Sequence, residues 1–163
     1  MNNYVTYHLH TMLSLLDSCT SYKEYVRYAK DIGQKAICFT EHGNCYNWIE
    51  KKMYCESTQY KIQYDNKIKY LDDKKKCESF VSELKCDYKI TELPPIKFIF
   101  GVEVYLTSNK PGQENRTRDN YHTVLIAKNY NGVREINKLL EDGSKPDHFY
   151  YVRRITLDEF FNI

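Results

Sequence analysis

The fold is indicated by the stretch Ala36-Ile37-Cys38-Phe39-Thr40, which runs directly into Glu41-His42-Gly43-Asn44. The first part is an apolar run without alternation, and such runs are typical of strands that are covered on both faces. The second part has the composition of a loop. Strands covered on both faces occur mainly in α/β folds, so the stretch predicts a sheet with helices packed against it.

A strand and a helix are predicted upstream of this stretch. Val5 to His10 is expected to form the first strand, and the pattern Thr20-Ser21-x-x-Glu24 is a capping box that starts a helix. Apolar residues then recur at helical spacing until Gly33, which provides the stop. Strand, helix and strand in succession predict a βαβ unit with a right-handed crossover.

The segment from Ser57 to Glu92 differs from the rest of the chain because it is rich in Lys and Tyr. Tyr64-Asp65-Asn66-Lys67 predicts the turn of a small hairpin, and the apolar residues from Cys77 to Leu84 lie at helical spacing. We interpret residues 57–92 as an insertion into a single partial domain of residues 1–163. A solvated surface loop is the alternative.

The remaining elements are predicted from apolar periodicity and from turn and capping signals. They are helices over Asn47–Glu56 and Asn131–Glu141, strands over Lys97–Tyr105 and Tyr121–Ala127, a polar loop from Ser108 to Asn120 that turns at Pro111-Gly112, and a last helix that begins at the capping box Thr156-Leu157-Asp158-Glu159.

Composition excludes several classes of protein. With 163 residues, 42% of them hydrophobic and 28% charged, the chain has the size of one globular domain and is not disordered. The net charge of +2 is too small to indicate nucleic-acid binding by itself. We expect a cytoplasmic protein without a membrane partner, because the chain has no membrane-spanning apolar run and no leader-like N-terminus. The six cysteines lack paired spacing and are expected to be reduced.

Residues with metal-binding side chains lie at the ends of the predicted strands. His8 and His10 are two apart on a strand, so their imidazoles project from the same face. Functional side chains gather at the carboxyl ends of strands in parallel α/β folds. Several histidines and carboxylates together suit Zn²⁺, Mn²⁺ or Fe and indicate more than one ion. The candidate ligands are His8, His10, Asp17, His42, Glu103 and His122.

Each candidate has a structural alternative when it is considered alone. His42 has the position of a turn-stabilising residue, Glu103 that of an exposed strand residue, and His122 that of a packed residue at a strand edge. His122 fits the pattern least well, because it precedes its apolar run instead of following it. His148, next to Asp147 in a polar turn, is predicted to lie on the surface.

Five motifs occur in a recognisable order. With them, the chain resembles the polymerase and histidinol phosphatase (PHP) family over nearly its whole length apart from residues 57–92, and within that family the branch found at the N-terminus of bacterial DNA polymerase III alpha subunits. The motifs are Tyr7-His8-Leu9-His10-Thr11, Ser14-Leu15-Leu16-Asp17, Thr40-Glu41-His42-Gly43-Asn44, Gly101-Val102-Glu103-Val104-Tyr105 and His122-Thr123-Val124-Leu125-Ile126-Ala127-Lys128-Asn129.

The resemblance implies a fold and a metal centre. The fold would be the N-terminal part of a distorted (β/α)₇ barrel with mostly parallel strands, and its cofactor would be Zn²⁺ or Mn²⁺ in up to three sites. The implied roles are His8, His10 and Glu103 on one ion, Asp17 and His42 on a second, and Glu103 bridging to a third that His122 holds.

The chain departs from the family pattern at two places. Glu41 stands where the family usually has Asp, at a position expected to orient the site without touching the metal. The family's later motifs, a Cys or His and then an Asp-x-His pair, do not occur in the sequence. We therefore expect a truncated or split chain in which each metal lacks one ligand.

Three functions remain open from the sequence. The first is the N-terminal portion of a replicative polymerase, acting with the remainder of that polymerase and reaching DNA through the full assembly, with a site of phosphoesterase or 3′–5′ exonuclease type. The others are a free-standing metal-dependent phosphoesterase and an inactive structural or interaction remnant. The nucleotidyltransferase chemistry of the polymerase belongs to a separate domain that this sequence lacks, so whether the chain is itself an enzyme stays open.

Overall fold

Residues 4–108 and 119–163 are described by the computed structural model, and they fall into two structural units. The first unit holds residues 4–6, 20–37 and 49–98, and the second holds residues 7–19, 38–48, 99–108 and 119–163. The predicted Pro111-Gly112 turn lies outside the described residues. The helices are α1 (Tyr22–Asp31), α2 (Trp48–Cys55), α3 (Lys74–Ser82), α4 (Tyr130–Asp142) and α5 (Leu157–Phe161), and the strands are β1 (Ala36–Phe39), β2 (Gln59–Tyr64), β3 (Lys67–Leu71), β4 (Tyr88–Leu93), β5 (Lys97–Thr107), β6 (Tyr121–Ile126), β7 (Phe149–Tyr150), β8 (Val152–Arg153) and β9 (Ile155–Thr156).

Helix α1 begins at the predicted capping box. The Ser21 hydroxyl accepts a hydrogen bond from the Glu24 backbone N–H, and the Glu24 carboxylate accepts one from the Ser21 backbone N–H. Gly33 follows the helix at φ +79°, which confirms the predicted stop, because a residue with a Cβ is strained there. Neither α1 nor any other helix in the described residues is long and apolar enough to cross a membrane.

The first unit contains a three-stranded antiparallel sheet in the order β3-β2-β4. The predicted hairpin is confirmed, since β2 and β3 pair with Tyr64 opposite Lys67. Asp65 and Asn66 form its turn at φ 42° and 60°, as a two-residue hairpin loop requires. Strand β4 was not predicted. That residues 57–92 are an insertion stays a prediction.

The second unit is organised around β5, which lies between β1 and β6. The segment that follows β1 runs parallel to β5: the Glu103 N–H donates to the Glu41 carbonyl at 3.1 Å, and the Gly43 N–H donates to the Glu103 carbonyl at 2.7 Å. Strand β6 pairs with β5 antiparallel, and β9 pairs with it parallel. These contacts place His42 and His122 beside the C-terminal half of β5, where Glu103 lies.

The expectation of mostly parallel strands is wrong. The described strands form mixed parallel and antiparallel sheets, and they do not close into a barrel. Strand β6 follows β5 after residues 108–120 and pairs with it directly in antiparallel register. Consecutive strands that are direct neighbours in a sheet commonly pair in this way, as an antiparallel hairpin.

The prediction of a regular first strand from Val5 to His10 is also wrong. In the first unit, Thr6 makes only an isolated parallel bridge with Ile37. In the second, the Leu9 N–H donates to the side-chain hydroxyl of Thr40 at 2.9 Å, while the Thr40 N–H donates to the Leu9 carbonyl at 2.9 Å. The Thr40 hydroxyl takes the place of a backbone carbonyl, so the ladder is interrupted.

All six cysteines are free thiols, as expected. Burial raises the pKa of Cys38 and of Cys55 to about 12. These two thiols therefore stay protonated at neutral pH, and a protonated thiol is a poor nucleophile and metal ligand.

Gly101 on β5 packs closely against Cys38 and Leu125 on the two neighbouring strands. An added Cβ would lie 2.6 Å from the Cys38 Sγ and 3.1 Å from the Leu125 carbonyl oxygen, whereas one at Gly132 would meet nothing nearer than 3.4 Å. We predict that Gly101→Ala lowers the free energy of unfolding by about 2 kcal/mol through crowding. Gly132→Ala, its control in α4, should be neutral or stabilising by about 0.5 kcal/mol. Urea denaturation measures both, and equal effects would contradict the packing argument.

Lys30 is a buried amine in the first unit, and it donates hydrogen bonds to the Ser57 carbonyl at 2.6 Å and to Gln59 Oε1 at 2.5 Å. Burial lowers its pKa from 10.5 to about 8. Because the unfolded chain holds this proton more tightly, the Lys30 contribution to stability should rise with pH between 8 and 10.5.

The difference in urea-unfolding free energy between the native chain and Lys30→Met should therefore increase across that pH range. Lys138→Met, at an exposed position on α4, is the control for other titrating groups. A difference that stays constant with pH, or that tracks the control, would show that the Lys30 pKa is not depressed.

Candidate metal centre

The carboxylate of Glu103 lies at the centre of the predicted site. Glu103 is on β5 and is only 2% exposed. Its Oε2 is 2.7 Å from His8 Nε2 and 2.9 Å from His10 Nε2, and its Oε1 is 2.5 Å from His122 Nδ1. A buried carboxylate is costly unless it is paired. Three imidazoles supply the partners here.

The rings of His8 and His10 converge on one oxygen of Glu103. Their Nε2 atoms are 3.0 Å apart, and both lie within 2.9 Å of Glu103 Oε2. Two nitrogens and a carboxylate oxygen that converge on one point form a donor set of the type that holds Zn²⁺ or Mn²⁺. The chemistry of these residues therefore fits the metal that the family resemblance implies.

A second group of potential ligands contains His10, Asp17 and His42. His42 Nε2 is 3.0 Å from Asp17 Oδ2, and the His42 ring stacks on that of His10 with centroids 4.3 Å apart. The other nitrogen of His42, Nδ1, lies 3.1 Å from the hydroxyl of Tyr105. A hydrogen bond at Nδ1 fixes the orientation of the ring and leaves Nε2 directed at Asp17.

The antiparallel direction of β6 explains how His122 joins the site. His122 stands at the start of its strand, and its register partner on β5 is Tyr105, two residues beyond Glu103. The start of an antiparallel strand lies beside the end of its neighbour. With His42 and Glu103, His122 forms a third group of potential ligands. All six predicted residues thus belong to one connected cluster; that they bind metal stays a prediction.

Glu41 lies beneath the site and does not join the imidazoles. It is 1% exposed and accepts hydrogen bonds from the Thr11 N–H at 3.0 Å and the Ser14 hydroxyl at 2.6 Å. Ser14 in turn lies 3.3 Å from His10 Nδ1 and accepts a hydrogen bond from the His42 N–H at 3.1 Å. These contacts support the predicted orienting role of Glu41, which acts through Ser14.

Sequence reasoning missed Thr11, Ser14 and Tyr105. Each lies inside a motif that contains a predicted ligand, but the site predictions from the sequence rest on His, Asp and Glu side chains alone. A hydroxyl within three residues of a ligand, inside the same motif, is the signal that points to them.

The electrostatics of the cluster are set by burial and by close charges. Burial alone raises the pKa of Glu103, but hydrogen bonds from His8 and His122 and the charge of His42 bring it below its ordinary value. Burial, and then the neighbouring His42, lower the pKa of His10. Burial, followed by the Glu103 charge, raises the pKa of Tyr105. The site therefore favours an ionised carboxylate beside a neutral imidazole, which is the state in which both are ligands.

The prediction that His148 lies on the surface is wrong. His148 is 2% exposed, with Nδ1 2.8 Å from Asp147 Oδ1 and Nε2 2.8 Å from Glu159 Oε1. The surface prediction follows from Asp147, a charged residue directly before His148. The tertiary structure buries the ring and gives it a second carboxylate partner, Glu159 in α5.

We predict that Glu41→Gln destabilises the folded chain by about 2 kcal/mol, because an amide replaces one of the two buried carboxylate oxygens with a donor. Glu135→Gln, at an exposed position on α4, is the matched control. Thermal unfolding followed by circular dichroism measures both variants. A melting temperature for Glu41→Gln equal to that of the control would contradict the assigned hydrogen bonds.

Comparison with known proteins connects this site to a family. Residues 6–162 match the PHP domain. The chain is similar to DNA polymerase III subunit alpha of Aquifex aeolicus (30% identical over 94% of this chain), of Chlamydia pneumoniae (27% over 95%) and of Treponema pallidum (24% over 94%). It spans only 10–11% of the length of these relatives. Since the family match covers nearly the whole sequence and every residue of the site, the chain belongs to the PHP domain family.

Proposed function

We propose that this chain is a metal-dependent PHP domain of phosphoesterase or 3′–5′ exonuclease type, equivalent to the N-terminal portion of a DNA polymerase III alpha-like protein. The observation that carries the proposal is the convergence of His8, His10 and His122 on the buried carboxylate of Glu103. A surface ion pair needs no such arrangement, because one cation is enough to pair a carboxylate.

Each candidate ligand has a proposed role. His8, His10 and Glu103 hold one ion of Zn²⁺ or Mn²⁺, and the mutual proximity of their donor atoms supports this assignment. Asp17 and His42 hold a second. The two oxygens of Glu103 face different imidazoles, which supports a third ion that Glu103 and His122 would hold together. Glu41 orients the site through Ser14.

The chemistry of the site follows from these groups. When bound, the metal would lower the pKa of a coordinated water towards neutrality and offset negative charge on a phosphoryl group. Glu103 and Asp17 supply the negative charge that holds cations. Tyr105 keeps the His42 ring in position by its contact at Nδ1. The buried Glu41 holds the segment from Thr11 to Ser14, and Ser14 contacts the His10 imidazole and the His42 backbone N–H.

The proposal extends to fold and context. We propose that the chain corresponds to the N-terminal part of a (β/α)₇ barrel with residues 57–92 inserted, and that it works in the cytoplasm beside the remainder of a polymerase. The similarity to polymerase subunits about ten times as long supports this context. DNA would be reached through the full assembly. A free-standing phosphoesterase and an inactive remnant are the competing assignments.

Metal binding tests the proposal first. Wild-type protein, stripped with chelator and titrated with Zn²⁺ or Mn²⁺, should bind at least one ion per chain by calorimetry and by elemental analysis. Glu103→Gln should weaken binding by about 100-fold, because it removes the charge of the central ligand. Glu135→Gln should bind as the wild type does. A wild-type chain that retains no ion after gel filtration would contradict the proposed metal centre.

Hydrolysis then separates the competing assignments. An active free-standing enzyme should hydrolyse bis(p-nitrophenyl) phosphate with added Mn²⁺, lose that activity with chelator, and lose it in Glu103→Gln. A polymerase portion that depends on its remainder should bind metal and hydrolyse nothing until the missing part is supplied. An inactive remnant should do neither.

A further inference from the structure

A pocket of about 530 Å³ opens beside the metal-binding cluster, within the second unit. Its polar wall includes Asp17, His42, His122 and Tyr105, so the candidate ligands face the space directly. Leu13, Leu15 and Tyr46 line another part of it. A substrate that reaches the cluster from this pocket also meets Arg153, which belongs to β8.

Arg153 is the only Lys or Arg among the described residues that line this pocket. Its side chain is exposed, and its Nη1 donates a hydrogen bond to the Gly43 carbonyl at 3.2 Å. A guanidinium has five N–H donors in a fork that matches two phosphate oxygens. Within residues 4–108 and 119–163, no carboxylate forms an ion pair with Arg153, so its charge is not neutralised there.

The contact with Gly43 places the guanidinium on the same loop as a candidate ligand. Gly43 directly follows His42, and its own N–H is held by the Glu103 carbonyl at 2.7 Å. Gly43 has φ +59°, in the left-handed region that glycine adopts without strain. The Arg153 guanidinium therefore contacts the residue that directly follows His42, whose imidazole faces Asp17.

The hairpin that carries Arg153 is tied down at its base. Phe149 pairs with Arg153 across β7 and β8, and Tyr151 at φ 61° makes the turn. At the base, the Arg154 N–H donates to the carbonyl of His148 at 3.2 Å. The buried His148 ring is held in turn by Glu159. The backbone of the hairpin is therefore held in place directly beside Arg153.

We propose that Arg153 binds the phosphate group of the substrate, fixing its non-bridging oxygens beside the metal-binding cluster. The inference rests on the proposed function, because it assigns a substrate-binding residue to the same site. A guanidinium that has no carboxylate partner among the described residues, and that lines the same pocket as candidate metal ligands, is the complement of a phosphoryl group whose remaining oxygens would face the cations. The shared chemistry is that of a phosphate monoester or a phosphodiester.

The test measures phosphate binding directly. Protein freed of metal with chelator is titrated with inorganic phosphate, and in a parallel arm with the dinucleotide d(TpT), while the Nε–Hε NMR signals of arginine are followed. The Arg153 signal, identified by its loss in Arg153→Gln, should shift on saturation. Affinity should fall about tenfold in Arg153→Gln and less in Arg153→Lys, because lysine keeps the charge but not the fork. Arg134→Gln, at an exposed position on α4, should change nothing.

The outcomes divide clearly. Binding of phosphate but not d(TpT) assigns a terminal monoester to the residue, and binding of both assigns the diester as well; either supports the inference. Equal affinities for wild type and Arg153→Gln, an equal loss in the Arg134 control, or no binding of either probe by wild type would overturn it.

Two further measurements distinguish phosphate binding by Arg153 from a structural role of this residue. The Zn²⁺ content of Arg153→Gln should equal that of wild type, and its melting temperature should be unchanged; a loss of either would mean that Arg153 acts by clamping Gly43, and would overturn the inference. A chain that binds no metal yet loses phosphate affinity on Arg153→Gln would overturn the proposed function alone.

Discussion

The interaction on which the rest of the site depends is the burial of one carboxylate among several imidazoles. Glu103 lies in the middle of a strand with almost no exposure, where an unpaired charge would cost several kcal/mol. It is tolerated because His8 and His10 come from the N-terminal segment and His122 from β6 to meet it. The irregular N-terminal segment and the antiparallel β6 together bring nitrogen donors to its two oxygens.

The hydrogen bonds of Glu41 form a second group of polar contacts, which supports the Glu103–histidine cluster. Glu41 is as buried as Glu103, yet it faces hydroxyl and amide donors instead of imidazoles. The two carboxylates therefore have different chemical surroundings although they are close in the sheet. One is surrounded by imidazoles, which can also bind metal ions, and the other by hydroxyl and amide groups that donate hydrogen bonds to it. This difference separates the ligand role proposed for Glu103 from the orienting role proposed for Glu41.

Local sequence patterns are sufficient to predict many of the helices and strands and to identify the six candidate ligands. Capping boxes at Ser21 and Thr156, the hairpin turn at Asp65 and Asn66, and the apolar run of β5 are decided by neighbouring residues, so the sequence contains them. The six candidate ligands were identified because His, Asp and Glu at strand ends stand out against an apolar background. Their mutual distances required the tertiary structure.

What escaped prediction is decided by residues distant in sequence. The direction of β6 depends on its connection to β5, since its own residues suit either direction. The buried His148 ring has its second carboxylate partner, Glu159, in the following helix, and the interruption near Leu9 depends on the hydroxyl of Thr40. Arg153 carried no signal, because a single arginine in a polar segment is ordinary until its neighbours are known.

The separation of His8 from its partner Glu103, 95 residues along the chain, has a consequence for how the site forms. During synthesis the first two imidazoles emerge long before the carboxylate that gathers them, and His122 follows later still. Closing such long loops is entropically unfavourable until β5 and its neighbours are in place. We therefore expect the donor cluster to assemble late in folding, as a product of the finished sheet and not as a nucleus for it.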